Sequence, residues 1–133
     1  MKFFIDCDAH DGCSVRKFRH RFHKAEDYVI HCFEPNPKFF PIFNDLDVLF
    51  HPVAVWSRDE SRSLYIGQIN NGWGSTLFPH KTTGNIDRNR PLNIWCINFS
   101  RWLAEHSTRF DDIILKLDIE GAEYELLTKM FEN

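Results

Sequence analysis

The sequence predicts one α/β domain built on an open, mostly parallel sheet, and three stretches carry that expectation. Near the start, the apolar run Phe3-Phe4-Ile5 stops at Asp6, and a polar turn with a single glycine, Gly12, precedes a segment with helical spacing. A second run, Tyr28-Val29-Ile30-His31-Cys32-Phe33, stops at Glu34. A third, Ile113-Ile114-Leu115-Lys116-Leu117, stops at Asp118. Runs that are apolar on both faces suit parallel strands covered by helices. Strand, acidic turn, helix is how such a sheet opens a crevice for a nucleotide-like ligand at its carboxyl ends.

The elements follow in order. Ser14 is a good N-cap, and residues 14–26 read as an amphipathic helix with Val15, Phe18, Phe22 and Ala25 on one stripe. Arg16, Lys17, Arg19, Arg21 and Lys24 lie away from it and read as a solvated face rather than a phosphate contact. Residues 28–33 read as a central strand. It ends at Glu34-Pro35-Asn36-Pro37, where Asn36 suits a cap and Pro37 the first helical position. Pro41 lacks the donor a longer helix needs, so 37–44 is expected to be short or irregular. Residues 47–56 read as a third strand broken at Pro52, and 57–66 as part of a hairpin. The polar stretch 67–91 reads as a long loop, of the kind that is functional or disordered. Residues 93–99 read as a strand, with Ser100 capping a helix over 101–107 whose Trp102 and Leu103 face inward. The fourth main strand, 111–118, leads through the turn 119–121 into a helix over 122–131. Trp56, Trp95 and Trp102 are assigned to the core.

Length and composition narrow the function. A chain of 133 residues suits a single domain, 1–133. Sixteen basic against nineteen acidic residues give −3, so no global charge pulls the chain to nucleic acid or to an anionic membrane. No apolar run approaches the roughly 20 residues of a membrane span. Asp6 comes too early for a signal peptide. The cysteines Cys7, Cys13, Cys32 and Cys96 form no C-x-x-C pair and read as reduced thiols of a cytoplasmic protein. With no paired ligand spacing among His10, His20 and His23, no metal site is expected.

The three strand-end acids carry the chemistry. Asp6 and Glu34 stand 28 residues apart, one β-α-β unit. An acid ending the second strand is the usual partner of a ribose diol, because a carboxylate accepts from both hydroxyls. A dinucleotide pyrophosphate wants several glycines for close backbone approach. This turn offers only Gly12 and carries Asp6, Asp8 and Asp11. A surplus of carboxylates repels phosphate and suits a ligand with an amine and a sulfonium. The chemistry therefore prefers S-adenosylmethionine to NAD or ATP.

Five blocks sharpen this reading: Asp6-x-x-Ala9-x-Asp11-Gly12, Phe33-Glu34-Pro35-Asn36-Pro37, Val53-Ala54-Val55-Trp56, Asn71-Gly72-x-Gly74-Ser75-Thr76-Leu77 and Lys116-Leu117-Asp118-Ile119-Glu120-Gly121-Ala122-Glu123. Together they cover nearly the whole chain and resemble the FkbM family of S-adenosylmethionine-dependent methyltransferases. The last block is the most specific. The resemblance implies a Rossmann-like class I methyltransferase fold of three α/β/α layers and methyl transfer, usually to oxygen. It implies that the turn with Asp6, Asp8, Ala9, His10 and Gly12 holds the methionine part of the cofactor. Glu34, with Pro35 and Asn36 beside it, would bind the ribose. Ala54 and Val55 would lie near the adenine, and Ser75 and Thr76 would help close the site. Asp118 and Glu120 would face the methyl group and the acceptor, one of them orienting or deprotonating a hydroxyl.

Two departures from the family stand out. The family usually has glycine where this chain has Asp8, whose side chain would either crowd the cofactor or bind its amine. A turn needing positive φ strains most residues, aspartate less than others. The chain also stops after the fourth main strand and its helix, whereas the family fold continues through three further strands. The expected consequence is an open parallel edge, available to a partner or to a second copy of the chain.

The leading expectation is an O-methyltransferase acting on a hydroxyl of a sugar, glycan or small metabolite, without nucleic-acid or membrane partners. The alternative is a catalytically impaired cofactor-binding module or a fragment that needs a partner. An NAD-dependent oxidoreductase lacks its G-x-G-x-x-G. A nucleic-acid binder lacks both basic charge and a motif.

Overall fold

The computed structural model describes residues 1–65, 91–119 and 123–131. In chain order the elements are β1 (Lys2–Cys7), α1 (Cys13–Arg21), β2 (Val29–Phe33), β3 (Leu49–His51), β4 (Ala54–Trp56), β5 (Glu60–Leu64), β6 (Leu92–Asn98), α2 (Phe99–His106), β7 (Asp112–Leu117) and α3 (Glu123–Phe131). Short 3-10 segments occupy Ala25–Asp27 and Pro37–Asp45.

The main sheet has the order β3-β2-β1-β7, and each neighbouring pair is parallel. Side-chain alternation gives it two buried faces. Phe4 of β1, with Ile30 and Cys32 of β2, packs under α1 and the 3-10 segments, against Val15, Phe18, Phe39 and Phe43. Phe3, Ile5 and Cys7, with Phe33, pack under α2 and α3, against Phe99 and Leu126. Trp102 of α2 adds edge-on contacts to His31, Phe33 and His51, which hold α2 on the β2–β3 side of that face. The result is a Rossmann-like sandwich of helix, parallel sheet and helix, as the apolar runs predict.

A second, three-stranded sheet has the order β4-β6-β5, with β4 parallel and β5 antiparallel to β6. The predicted third strand is therefore two strands in two sheets. Pro52 has no N–H for a ladder, and the Val53 N–H donates to the His51 carbonyl at 2.8 Å, so the chain turns there. Within 57–66, β5 pairs antiparallel with β6. On β6, Ile94 and Cys96 point inward and Trp95, between them, is 52% exposed, which corrects its assignment to the core.

Helix ends differ from expectation for local reasons. α1 starts at Gly12, whose φ of 78° makes it a left-handed cap, and Ser14 lies inside the helix. The helix stops at Arg21 because Phe22 turns extended, with its ring edge-on to Tyr28 and much of it exposed, and Lys24 adopts φ 56°. The expected 14–26 helix is thus a shorter helix and a 3-10 turn. Asn36 caps as predicted, accepting from the Lys38 N–H at 3.1 Å. For α2 the cap is Asn98 rather than Ser100, with Oδ1 accepting from the Arg101 N–H at 3.1 Å. All four cysteines are free thiols, and Cys7, Cys32 and Cys96 are buried. Among the described residues no helix is long and apolar enough to cross a membrane.

Gly12 is required by backbone conformation more than by space. A Cβ there would lie 2.6 Å from Leu46 Cδ1, the movable end of a side chain, but alanine strains at φ 78°. Gly12→Ala is expected to cost about 1–2 kcal/mol, read as a lowered denaturation midpoint with unchanged slope.

Candidate functional site

Everything at the site hangs on how the turn after β1 is pinned. The Asp8 and Ala9 N–H groups both donate to the Phe33 carbonyl at 2.9 Å, and the Gly12 N–H donates to the Ala9 carbonyl at 2.9 Å. Asp8 and His10 both adopt left-handed conformations, with φ 85° and 56°. Such residues persist only where the surroundings over-determine them. Here Ala9 between them is buried in the core under α1, which anchors the turn.

That geometry aims backbone donors at one carboxylate. Glu34, just past β2, is 2% exposed. Its Oε1 accepts from the His10 N–H at 2.9 Å and its Oε2 from the Asn36 N–H at 2.7 Å. Asp8 and Glu34 line the same cleft. Burial raises both carboxyls above their usual range, Asp8 strongly.

Around Glu34 lies a small cleft, partly open to solvent, at the carboxyl ends of the main strands. Its polar lining is Asp8, His10, Glu34 and Asn36, and its apolar lining includes Phe39, Val55, Leu64 and Ile119. The His10 ring packs on Phe39, centroids 4.2 Å apart. Asn36 Nδ2 is buried with no hydrogen-bond partner among the described residues.

Behind the turn, parallel pairing sets Asp6 opposite Lys116. Lys116 Nζ lies 2.9 Å from Asp6 Oδ1 and donates to the Asp8 carbonyl at 3.4 Å. Asp6 is fully buried, and its Oδ2 has no partner among the described residues. Burial pushes the Asp6 carboxyl up to about 6, although Lys116 pulls it down. Burial pulls the Lys116 ammonium down, but Asp6, Asp8 and Asp118 together raise it above its ordinary value.

Of the residues singled out in the sequence, Asp8, His10, Glu34, Pro35, Asn36, Ala54 and Val55 come together around this cleft. Asp6, Ala9 and Gly12 do not line it: Asp6 backs the turn, Ala9 anchors it in the core and Gly12 starts α1. Asp118 is exposed just past β7. Ser75, Thr76 and Glu120 lie outside the described residues. Sequence reasoning missed Phe39, Leu64 and Ile119 as lining, and Lys116 as the tie between β7 and the turn. Lys116 alone carried a signal, being a cation inside an apolar strand opposite a strand-end acid.

The chemistry of the cleft would suit a nucleoside ligand that carries positive charge. Glu34 has lone pairs beyond those taken by His10 and Asn36, and a carboxylate so placed accepts from a vicinal diol. The apolar walls suit a flat ring. The excess of carboxylates disfavours phosphate. With a parallel sheet in this order, these features define a Rossmann-like methyltransferase domain. The sequence profile described as the methyltransferase FkbM domain matches residues 6–132, so the chain belongs to the FkbM methyltransferase family. No curated protein and no solved structure matches the chain significantly. Asn36 with its unpartnered Nδ2, Glu34 with acceptor capacity to spare and the acidic turn together fit S-adenosylmethionine, the methyl donor that the family implies.

Proposed function

We propose that this methyltransferase uses S-adenosylmethionine to methylate a hydroxyl of a sugar, glycan or small metabolite in the cytoplasm. The observation that carries the reading is Glu34, fixed by two backbone donors in an acid-rich, apolar-walled cleft. When bound, the cofactor supplies an electrophilic methyl group on a sulfonium. In this reading Glu34 holds the ribose hydroxyls, with Asn36 Nδ2 and Pro35 beside it. Ala54 and Val55, with Phe39 and Leu64, enclose the adenine. Asp8 and His10 face the methionine part, and Asp6, Ala9 and Gly12 hold the turn that presents them. Ser75 and Thr76 help close the site. Asp118, with Glu120, orients the acceptor hydroxyl or takes its proton. In-line holding of donor and acceptor supplies much of the acceleration in such a transfer.

A second reading, a binding module without transfer, is favoured by one observation. Asp8 lines the same cleft as Glu34, beside the place where a ribose hydroxyl would bind. Calorimetric titration with S-adenosylmethionine and S-adenosylhomocysteine, followed by a labelled-methyl screen of hydroxylated acceptors, separates the two. Binding with transfer to a hydroxyl supports the enzyme. Binding without transfer to any acceptor supports the module. A folded sample that binds neither ligand overturns both.

A further inference from the structure

Net charge argues against an anionic surface as a partner, but the distribution of the charge argues for one. Five of the sixteen basic residues, Arg16, Lys17, Arg19, Arg21 and Lys24, fall within residues 16–24, and no acid stands among them. All five are exposed. The field of an exposed charge fades over roughly 8 Å at physiological salt, so an approaching surface meets the charge of one face and not that of the whole chain. The helix puts these residues on one face. Val15 and Phe18 turn into the core, with the Phe18 ring on that of Phe4, centroids 4.1 Å apart. Helical spacing then leaves Arg16, Lys17 and His20 outward, with Arg19 and Arg21 at the flanks.

The cations of this face are also left un-neutralised. Elsewhere Arg58 and Arg62 meet Glu60, Arg101 meets Asp59, and Lys116 meets Asp6. Among the described residues no carboxylate comes within ion-pair distance of the five. Two of them are held by neutral acceptors instead. Arg16 donates to the Asp11 carbonyl at 2.9 Å, and Arg19 donates to the carbonyls of Leu46 and Asp47. Such bonds orient a guanidinium without cancelling its charge. Glu26 and Asp47 share a hollow with Arg19 and border the face on that side, so its weight rests on Arg16, Lys17, Arg21 and Lys24. Where the helix ends, Phe22 turns extended and is 43% exposed, which sets an apolar ring beside the cations.

We propose that the outer face of α1, with the turn after it, is a docking surface for a membrane leaflet rich in anionic phospholipid. Charge complementarity carries the proposal: a cluster of about four to eight Lys and Arg residues on one helix is what such a leaflet attracts. Phe22 adds the apolar contact that interfacial helices combine with their charges. Shape favours lipid over nucleic acid. The face is the convex side of a helix rather than a basic groove that tracks a backbone, and the Phe22 ring packs on Phe18 and edge-on to Tyr28 rather than standing ready to stack on bases. This surface lies outside the cleft and does not depend on the cofactor reading. It bears on where the cleft works. α1 begins at Gly12, at the end of the turn that carries Asp8 and His10, so docking holds the cleft within one helix length, about 14 Å, of the headgroups.

The test is cosedimentation of the full chain with vesicles of phosphatidylcholine alone and of phosphatidylcholine mixed with phosphatidylserine. Binding is expected only to the mixed vesicles, and it is expected to disappear in about 1 M salt, where screening shortens to roughly 3 Å. Lys17→Gln together with Arg21→Gln is expected to weaken it by about 25-fold, about fivefold for each cation removed. Arg58→Gln together with Arg109→Gln makes the same change of charge outside this face and is expected to leave binding as it is. Melting curves establish that both double variants are folded. A wild type that ignores the mixed vesicles at low salt overturns the proposal. Equal weakening by the two pairs also overturns it, because net charge and not this face would then be acting. Tighter binding to a uridine oligonucleotide than to the mixed vesicles, lost in the α1 variant, overturns the choice of lipid and assigns the face to nucleic acid.

Discussion

Glu34→Ala is expected to lower the affinity for S-adenosylmethionine by at least about 100-fold. The estimate comes from the bonds removed. A carboxylate accepting from two hydroxyls makes two charge-assisted hydrogen bonds, each contributing about 1.5–3 kcal/mol. Their loss sums to about 3 kcal/mol or more, which is two decades or more in dissociation constant. The same substitution removes the acceptor of the buried His10 and Asn36 N–H groups. Each buried donor left unpaired costs about 1–3 kcal/mol of stability, so a melting curve must accompany the titration. Glu34→Gln separates the two effects. It keeps one oxygen for a backbone donor but halves the acceptor capacity and loses the charge. A folded Glu34→Gln that binds as well as the wild type would remove Glu34 from the site.

Lys116→Met is expected to destabilise the fold by about 3 kcal/mol at neutral pH, the lower end for breaking a buried ion pair. The lower end applies because Asp6 is wholly buried whereas the Lys116 side chain is a third exposed. The pH dependence gives the sharper test. In the wild type the Asp6 carboxyl titrates at about 6, above its ordinary value of 3.8. A raised carboxyl pKa means that the folded state holds its proton more tightly than the unfolded state does. That contribution to stability is fully present below 3.8 and is lost as pH rises through 6. Without Lys116 the Asp6 carboxyl titrates higher still. The penalty of the variant is therefore largest at pH 7–8 and shrinks towards pH 5, where Asp6 is neutral. Asp6→Asn in the same background should restore most of the loss. Urea midpoints at pH 5 and pH 8 read this directly. A loss that is the same at both values would mean that Lys116 acts through packing and not through Asp6.

The second prediction rests on a tie that joins distant parts of the chain. Lys116 links β7 to the Asp6 carboxyl and the Asp8 carbonyl, and Asp8 lines the same cleft as Glu34. Substitution at Lys116 is therefore expected to weaken cofactor binding as well, although Lys116 does not line the cleft.

The sequence by itself determined the parts that depend on short-range pattern. Apolar runs ending in Asp6, Glu34 and Asp118 declared parallel strands and their carboxyl ends, and the order of motif blocks declared the family. Asn36-Pro37 declared a cap, since a side-chain acceptor and a fixed φ act within a few residues. Only the tertiary structure decided what depends on distant partners. Pro52 read as a break in one strand, but sheet pairing alone decided that β3 and β4 belong to different sheets. Trp95 read as core because it is large and apolar, but the alternation of β6 turned it outward. Phe39, Leu64 and Ile119 became cleft walls only when three separate segments met around Glu34. Asp8 read as one acid among several. Its place at the cleft beside Glu34 arises because the Phe33 carbonyl binds two N–H groups of the turn, which brings the end of β1 against the end of β2.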